Sequence, residues 1–202
     1  MKRHLFLSGP AFCGKSRLIR EQLGSSLQNA GGFCTELCKA PDGSVLGCAM
    51  IPTAAAGGVE GLEQELFLNM RSFPPAHDSE VFRGLGVRLL DEAAWYPFAV
   101  LDEIGGIDLI IPQFRVALES LLASELPILG VVKSREDSEQ MRRLLGPGSR
   151  FTAFSERLFE QLAGDPETEL LFITDDAERE AADAVTAWIA EYAALPGFQN
   201  RL

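Results

Sequence analysis

Residues 9–16 read Gly9-Pro10-Ala11-Phe12-Cys13-Gly14-Lys15-Ser16, and this octapeptide decides the fold. It matches the pattern Gly-x-x-x-x-Gly-Lys-Ser in full. Before it, His4 to Ser8 is a short apolar run suited to a buried strand. After it, Leu18, Ile19, Gln22, Leu23 and Leu27 hold one face at helical spacing, in a helix expected over Lys15 to Asn29 and closed by Gly31-Gly32. Strand, loop and helix in that order make an anion cradle. Gly9 and Gly14 let the backbone curl until successive amides point inward, and the helix start adds its positive dipole end. The residues expected to hold phosphates are Gly9, Pro10, Ala11, Phe12, Cys13, Gly14, Lys15, Ser16 and Arg17. Lys15 reaches the β- and γ-phosphates, and the Ser16 hydroxyl is a candidate Mg²⁺ ligand.

Working outward, residues 33 to 39 and 45 to 51 are rich in strand formers and flank Pro41-Asp42-Gly43, which predicts a β-hairpin. From Pro52 to about Ser79 the periodicity lapses, and a loop-rich stretch with one short helix near Leu62 to Met70 is expected. Val81 to Trp95 reads as a helix, Phe98 to Leu101 as a strand, Phe114 to Leu122 as an amphipathic helix, Ile128 to Val132 as a buried strand and Arg135 to Leu145 as a charged helix. A weak strand over Arg150 to Phe154, a short helix over Glu156 to Leu162, a strand over Leu170 to Thr174 and a last helix carrying Ala181, Val185, Trp188, Ile189 and Tyr192 complete the pass. Strands alternating with helices predict a mainly parallel sheet covered on both faces, in a single domain over 1–202.

A second constellation stands at Phe98-Ala99-Val100-Leu101-Asp102-Glu103. An apolar strand that ends in a carboxylate can hold Mg²⁺ beside a phosphate loop, so Asp102 is the candidate metal-side group and Glu103 the candidate that prepares an attacking water. The alternative is a core strand running into a solvated turn. Asp102 and Gly105 also fit Asp-x-x-Gly, but no Asn-Lys-x-Asp guanine-reading motif occurs. Of the basic residues Lys133, Arg135, Arg142 and Arg143, Lys133 ends a strand and is the candidate to meet transition-state charge; the others suit a solvated face.

The four cysteines lie in the first quarter of the chain. Cys34, Glu36 and Cys38 share a strand face, and a three-residue turn would set Cys48 opposite Glu36. Their spacing fits no recognised metal site, and small buried thiols are favoured. Cys13 sits beside Lys15 at a helix N-terminus, so its oxidation is expected to block nucleotide binding, the alternative being a thiol that only packs the loop. His4 and His77 read as strand-start and loop residues.

The net charge of −11 and pI near 4.7 disfavour a nucleic-acid surface, since affinity for a polyanion rests on Lys and Arg. The chain holds no apolar run of the about 20 residues that span a bilayer, and its N-terminus turns to Ser-Gly-Pro too soon for a signal core. A cytoplasmic location with no nucleic-acid or membrane partner is expected.

Together these segments resemble the small nucleoside-triphosphatase family that includes the cancer-related nucleoside-triphosphatase. The resemblance rests on the phosphate loop, on Gly32-Phe33-Cys34-Thr35-Glu36 and on Asp102-Glu103-Ile104-Gly105-Gly106-Ile107-Asp108, in matching order from Leu5 to about Leu145. It implies a P-loop NTPase fold, a three-layer α/β sandwich, and Mg²⁺-dependent hydrolysis of nucleoside triphosphates. The chain departs from the family pattern in three places. Ile107-Asp108 stands for Met-Glu, Phe12-Cys13 makes the loop bulky, and Thr152 to Arg157 stands for Thr-x-x-x-Asn-Arg. The expected reaction is NTP to diphosphate and phosphate. The alternatives are a nucleoside or nucleotide kinase, with the Arg135 to Arg143 helix as a lid, and a nucleotide-dependent switch or assembly factor.

Overall fold

Alternation along the first strand sets the layers. In β1 (His4–Ser8), Leu5 and Leu7 enter one core and Phe6 the other. The computed structural model describes residues 1–56, 66–72, 75–145, 151–174 and 178–193. After β1 the order is α1 (Lys15–Leu23), β2 (Ala30–Lys39), β3 (Val45–Pro52), β4 (Leu66–Asn69), β5 (Ala76–His77), α2 (Ser79–Val81), α3 (Val87–Glu92), β6 (Phe98–Ile104), α4 (Pro112–Leu122), β7 (Ile128–Val132), α5 (Arg135–Leu145), α6 (Phe151–Gly164), β8 (Thr168–Phe172) and α7 (Glu178–Tyr192). The strands form one sheet in the order β5-β4-β3-β2-β6-β7-β1-β8. Its half from β2 to β8 is parallel; β3, β4 and β5 extend it with antiparallel pairings.

Each face of the sheet carries a core. On one side Ile19 and Leu23 of α1 and Val185 and Trp188 of α7 cover Leu5, Leu7, Phe98, Val100, Leu129 and Val131. On the other, Leu89, Leu90, Phe114, Leu118, Phe151 and Leu158 cover Phe6, Phe33, Ala99 and Leu101. Facing positions alternate in size so that the layers close. A Cβ on Gly130 of β7 would lie 2.5 Å from Cε1 of Phe6, so the missing side chain of one strand makes room for the ring of the next.

Several boundaries differ from expectation. α1 stops at Leu23 with Gly24 as its C-cap, and Gly31-Gly32, expected to close the helix, lie inside β2. There the ladder requires glycine: a Cβ on Gly32 would sit 2.2 Å from the Val100 carbonyl oxygen of β6. Leu66 to Asn69, expected in a short helix near Leu62 to Met70, is strand β4; residues 62–65 of that expectation lie outside the described residues. Of the strand expected over Arg150 to Phe154, Arg150 lies outside the described residues and Phe151 to Phe154 start α6, because Phe151, Ser155, Leu158 and Leu162 bury one helical stripe. The helix expected from Val81 to Trp95 is present but broken, with a π-turn at Phe82–Gly86 between α2 and α3. There a Cβ on Gly86 would meet the Phe114 ring at 2.8 Å.

Candidate functional site

The loop between β1 and α1 turns on two glycines. Gly9 has φ 144°, and a Cβ there would lie 2.6 Å from the Ile173 carbonyl oxygen; Gly14 has φ 93° and caps α1. Cys13 N–H donates to the Pro10 carbonyl at 3.4 Å, closing the bend. Lys15 is buried at 5% exposure, and its ammonium lies within the loop, donating to the carbonyls of Gly9 (2.9 Å) and Pro10 (2.7 Å) and to Cys13 Sγ (3.6 Å). Ala11 N–H donates to Asp137 Oδ1 of α5 at 2.9 Å. Phe12 holds φ 62°, a left-handed conformation in which glycine is the usual residue. Arg17 is exposed and stands 3.8 Å from Glu21.

Asp102 meets this loop from β6. Its Oδ1 accepts from Ser16 Oγ at 2.5 Å, and its Oδ2 accepts from Arg20 Nη2 at 3.0 Å and from Thr35 N at 3.4 Å. Burial raises the Asp102 carboxyl above its ordinary value, against the pull of the Ser16 hydroxyl and the Arg20 guanidinium. The same buried pocket pushes the Cys34 thiol up to about 12, by desolvation first and by the Asp102 charge second.

Immediately after Asp102 the ladder slips. Asp102 pairs with Val131 and Ile104 with Val132, so Glu103 is a bulge residue with φ 73°. In an unbroken strand Glu103 would point to the face that holds Leu101 and Phe114. The bulge takes it out of that alternation, returns Ile104 to the core, and sets the Glu103 carboxylate 2.8 Å from Lys133 Nζ at the end of β7. Behind this pair Asp108 is buried, accepts from the amides of Gly105 (3.2 Å) and Gly106 (2.6 Å), and is pushed by burial up to about 6. A Cβ on Gly106 would lie 2.9 Å from Lys133 Cε, so this glycine clears the path of the lysine stem. Ser155 of α6 donates to the Gly105 carbonyl at 2.7 Å and shares a hydrogen bond with Ser138 of α5 at 2.8 Å, which fastens the turn to two helices.

Residues 4–154 match the model of a family described as NTPase. The chain belongs to that NTPase family. It is 30% identical over 136 residues to the nucleoside-triphosphatase THEP1 of Thermotoga sp. strain RQ2, a match covering 66% of this chain and 75% of that one. It is 29% identical over 136 residues to the THEP1 of Thermotoga petrophila, covering 66% and 73%. Among solved structures it resembles THEP1 from the hyperthermophile Aquifex aeolicus, with a TM-score of 0.58, 16% identity, and 91% and 97% of the two chains covered. The family resemblance and the P-loop α/β fold expected from the motifs are thereby shown.

In this NTPase the expected candidates converge unevenly. Gly9 to Ser16, Asp102, Glu103 and Lys133 gather at the C-terminal ends of β1, β6 and β7. Arg135, Arg142 and Arg143 do not join them; they pair with Glu160 and Glu139. The cysteine cluster is also rearranged. The three-residue turn sets Ala40 against Ser44 and Lys39 against Val45 as expected, but the ladder then slips by one residue at a bulge between Lys39 and Cys38, so Cys48 pairs with Leu37 and Glu36 with Ala49. Among the described residues no group of three or more His, Cys, Asp or Glu could hold a metal ion.

Three site residues escaped the sequence reading. Arg20 follows Ser16 by four positions, one helical turn, and that spacing was a usable signal. Asp108 was noted only as a stand-in for Glu. Asp137 reaches Ala11 across 126 residues, and no local pattern announces it.

Proposed function

We propose that this NTPase hydrolyses nucleoside triphosphates to the diphosphate and orthophosphate with Mg²⁺, and that Lys15, Ser16, Asp102, Glu103 and Lys133 carry the reaction. The observation that supports it most is the bulge at Glu103, which stands one residue from the Ser16–Asp102 pair and turns a second carboxylate into the same site. The donors fit Mg²⁺: a hydroxyl and a carboxylate oxygen 2.5 Å apart are hard ligands, and this ion takes few protein ligands and completes its shell with phosphate oxygens and water. Ser16 and Asp102 would hold it, and when bound it would neutralise charge on the β- and γ-phosphate oxygens.

The remaining chemistry falls to the chain itself. Apart from Ala11 N–H, held by Asp137, and Cys13 N–H, held by Pro10, the loop amides would face the phosphates together with Lys15 and offset the charge that grows on the β-phosphate as the γ-phosphorus–oxygen bond breaks. Glu103 accepts a hydrogen bond from the attacking water and takes its proton as the new phosphorus–oxygen bond forms. Lys133 orients Glu103, and its ammonium supplies positive charge beside the departing phosphoryl group. Arg20 holds the Asp102 carboxylate in place.

Glu103→Gln keeps the shape and removes the base. Nucleotide binding should persist while phosphate release from ATP, GTP and CTP, measured without any acceptor, falls by about 10²- to 10⁴-fold. Unchanged turnover would remove Glu103 from the mechanism, and release that requires an added hydroxyl acceptor would replace hydrolysis by phosphoryl transfer.

A further inference from the structure

Phe12 is 96% exposed, the most exposed of the large apolar side chains among the described residues. It also holds φ 62° without being glycine. A left-handed conformation costs an ordinary residue about 1 kcal/mol or more, and an aromatic ring in water adds no packing in return. The fold therefore gains nothing from this side chain, although glycine would relieve the backbone at once. Strain held at a ligand loop by the surrounding structure points to a contact made with the ligand.

The topology says which part of the ligand that is. Ser16–Asp102 and Glu103–Lys133 lie on the β6 and β7 side of the loop, so the γ end of a bound triphosphate is directed there. Ala11 is tied to that side through Asp137. The ribose and base must then leave the loop away from β6 and β7, into the solvent at its mouth. Phe12 stands in solvent at this mouth, and the Arg17 guanidinium lies against Gly14 beside it, with Nη2 3.4 Å from where a Gly14 Cβ would be.

We propose that Phe12 is a stacking platform for the nucleoside base, and that it determines specificity by accepting any base. This rests on the nucleotide-binding part of the reading above. Every nucleobase presents a π-face, so an aromatic ring holds purines and pyrimidines alike, whereas edge-reading hydrogen bonds would separate them. That agrees with a chain in which no guanine-reading motif occurs. Arg17 adds a planar cation at the same rim, a second surface on which a base can stack.

The test compares dissociation constants of ATP, GTP, CTP and UTP with that of inorganic tripolyphosphate, by calorimetry with Mg²⁺. Phe12→Ala keeps the left-handed penalty and removes only the ring. Binding of all four nucleotides should weaken by about 5- to 100-fold, with tripolyphosphate changed less than about twofold. Phe12→Trp should restore the nucleotide affinities. Equal weakening of tripolyphosphate would show that the ring only shapes the loop and would overturn the proposal, as would unchanged nucleotide binding or a loss confined to one base. Calorimetric binding needs no turnover, so a failure of hydrolysis leaves this measurement intact.

Discussion

Replacing Arg20 by Met strips the cation from a buried carboxylate while keeping much of the apolar stem, and the structure sets both the size and the pH dependence of the result. Asp102 is 2% exposed and accepts hydrogen bonds from Ser16, Arg20 and Thr35; Arg20 also donates to the Thr35 carbonyl at 2.5 Å. Breaking a buried pair by removing one partner costs about 3–5 kcal/mol. The Arg20 side chain is itself 27% exposed, so water can reach the gap and the low end, about 3 kcal/mol, applies. For a chain of this size that is a fall in Tm of roughly 6–12 °C. The fold already raises the Asp102 carboxyl, so what this group contributes to stability is present below its unfolded value and is lost as pH rises through its folded one. Removing Arg20 raises the folded value further. The variant's deficit should therefore be largest at pH 8 and shrink towards pH 5, as the carboxyl becomes protonated in the variant's folded state. Urea unfolding of both proteins at the two pH values reads this directly. Adding Asp102→Asn to Arg20→Met should recover part of the loss at pH 8. A deficit equal at both pH values would refute the reasoning, because it would place the cost in lost packing rather than in an uncompensated charge.

Two further outcomes follow from the same geometry. Asp108, at about 6 in the fold against an ordinary 3.8, is held more firmly as the neutral acid, so its contribution is lost as pH rises from 4 to 7. Asp108→Asn should flatten that slope, with the gap between wild type and variant changing by about 2–3 kcal/mol across the range in denaturant titrations; parallel pH curves would refute it. Gly130→Ala places a Cβ 2.5 Å from Phe6 and 2.9 Å from the Leu101 carbonyl in a packed sheet, and should lower stability by about 1–3 kcal/mol in thermal melts. A Tm unchanged within about 2 °C would show that the Phe6 ring can step aside.

The phosphate loop, the carboxylate strand, the parallel α/β arrangement and the family are all legible in the amino-acid order alone. All of these are written in short spans, as residue types at fixed spacing or as periodicity within one element. Gly9, Gly14, Lys15 and Ser16 declare their purpose within eight residues, and Phe98 to Glu103 shows its buried run and its acidic end in six. Features that depend on partners far along the chain emerge only when the elements pack. Phe151 to Phe154 reads as part of a strand by composition but is helix, because the buried stripe that continues to Leu162 finds a core to cover. Gly31-Gly32 reads as a helix stop but is ladder, because the Val100 carbonyl of β6 leaves no room for a Cβ. Cys48 pairs with Leu37 rather than Glu36, because a bulge between Cys38 and Lys39 shifts the register by one residue. The bulge that turns Glu103 towards Lys133 arises from the pairing of β6 with β7, and the link from Asp137 to Ala11 from the docking of α5. Spacing names the residues that can do the chemistry; the pairing of strands distant in sequence fixes which way their side chains point.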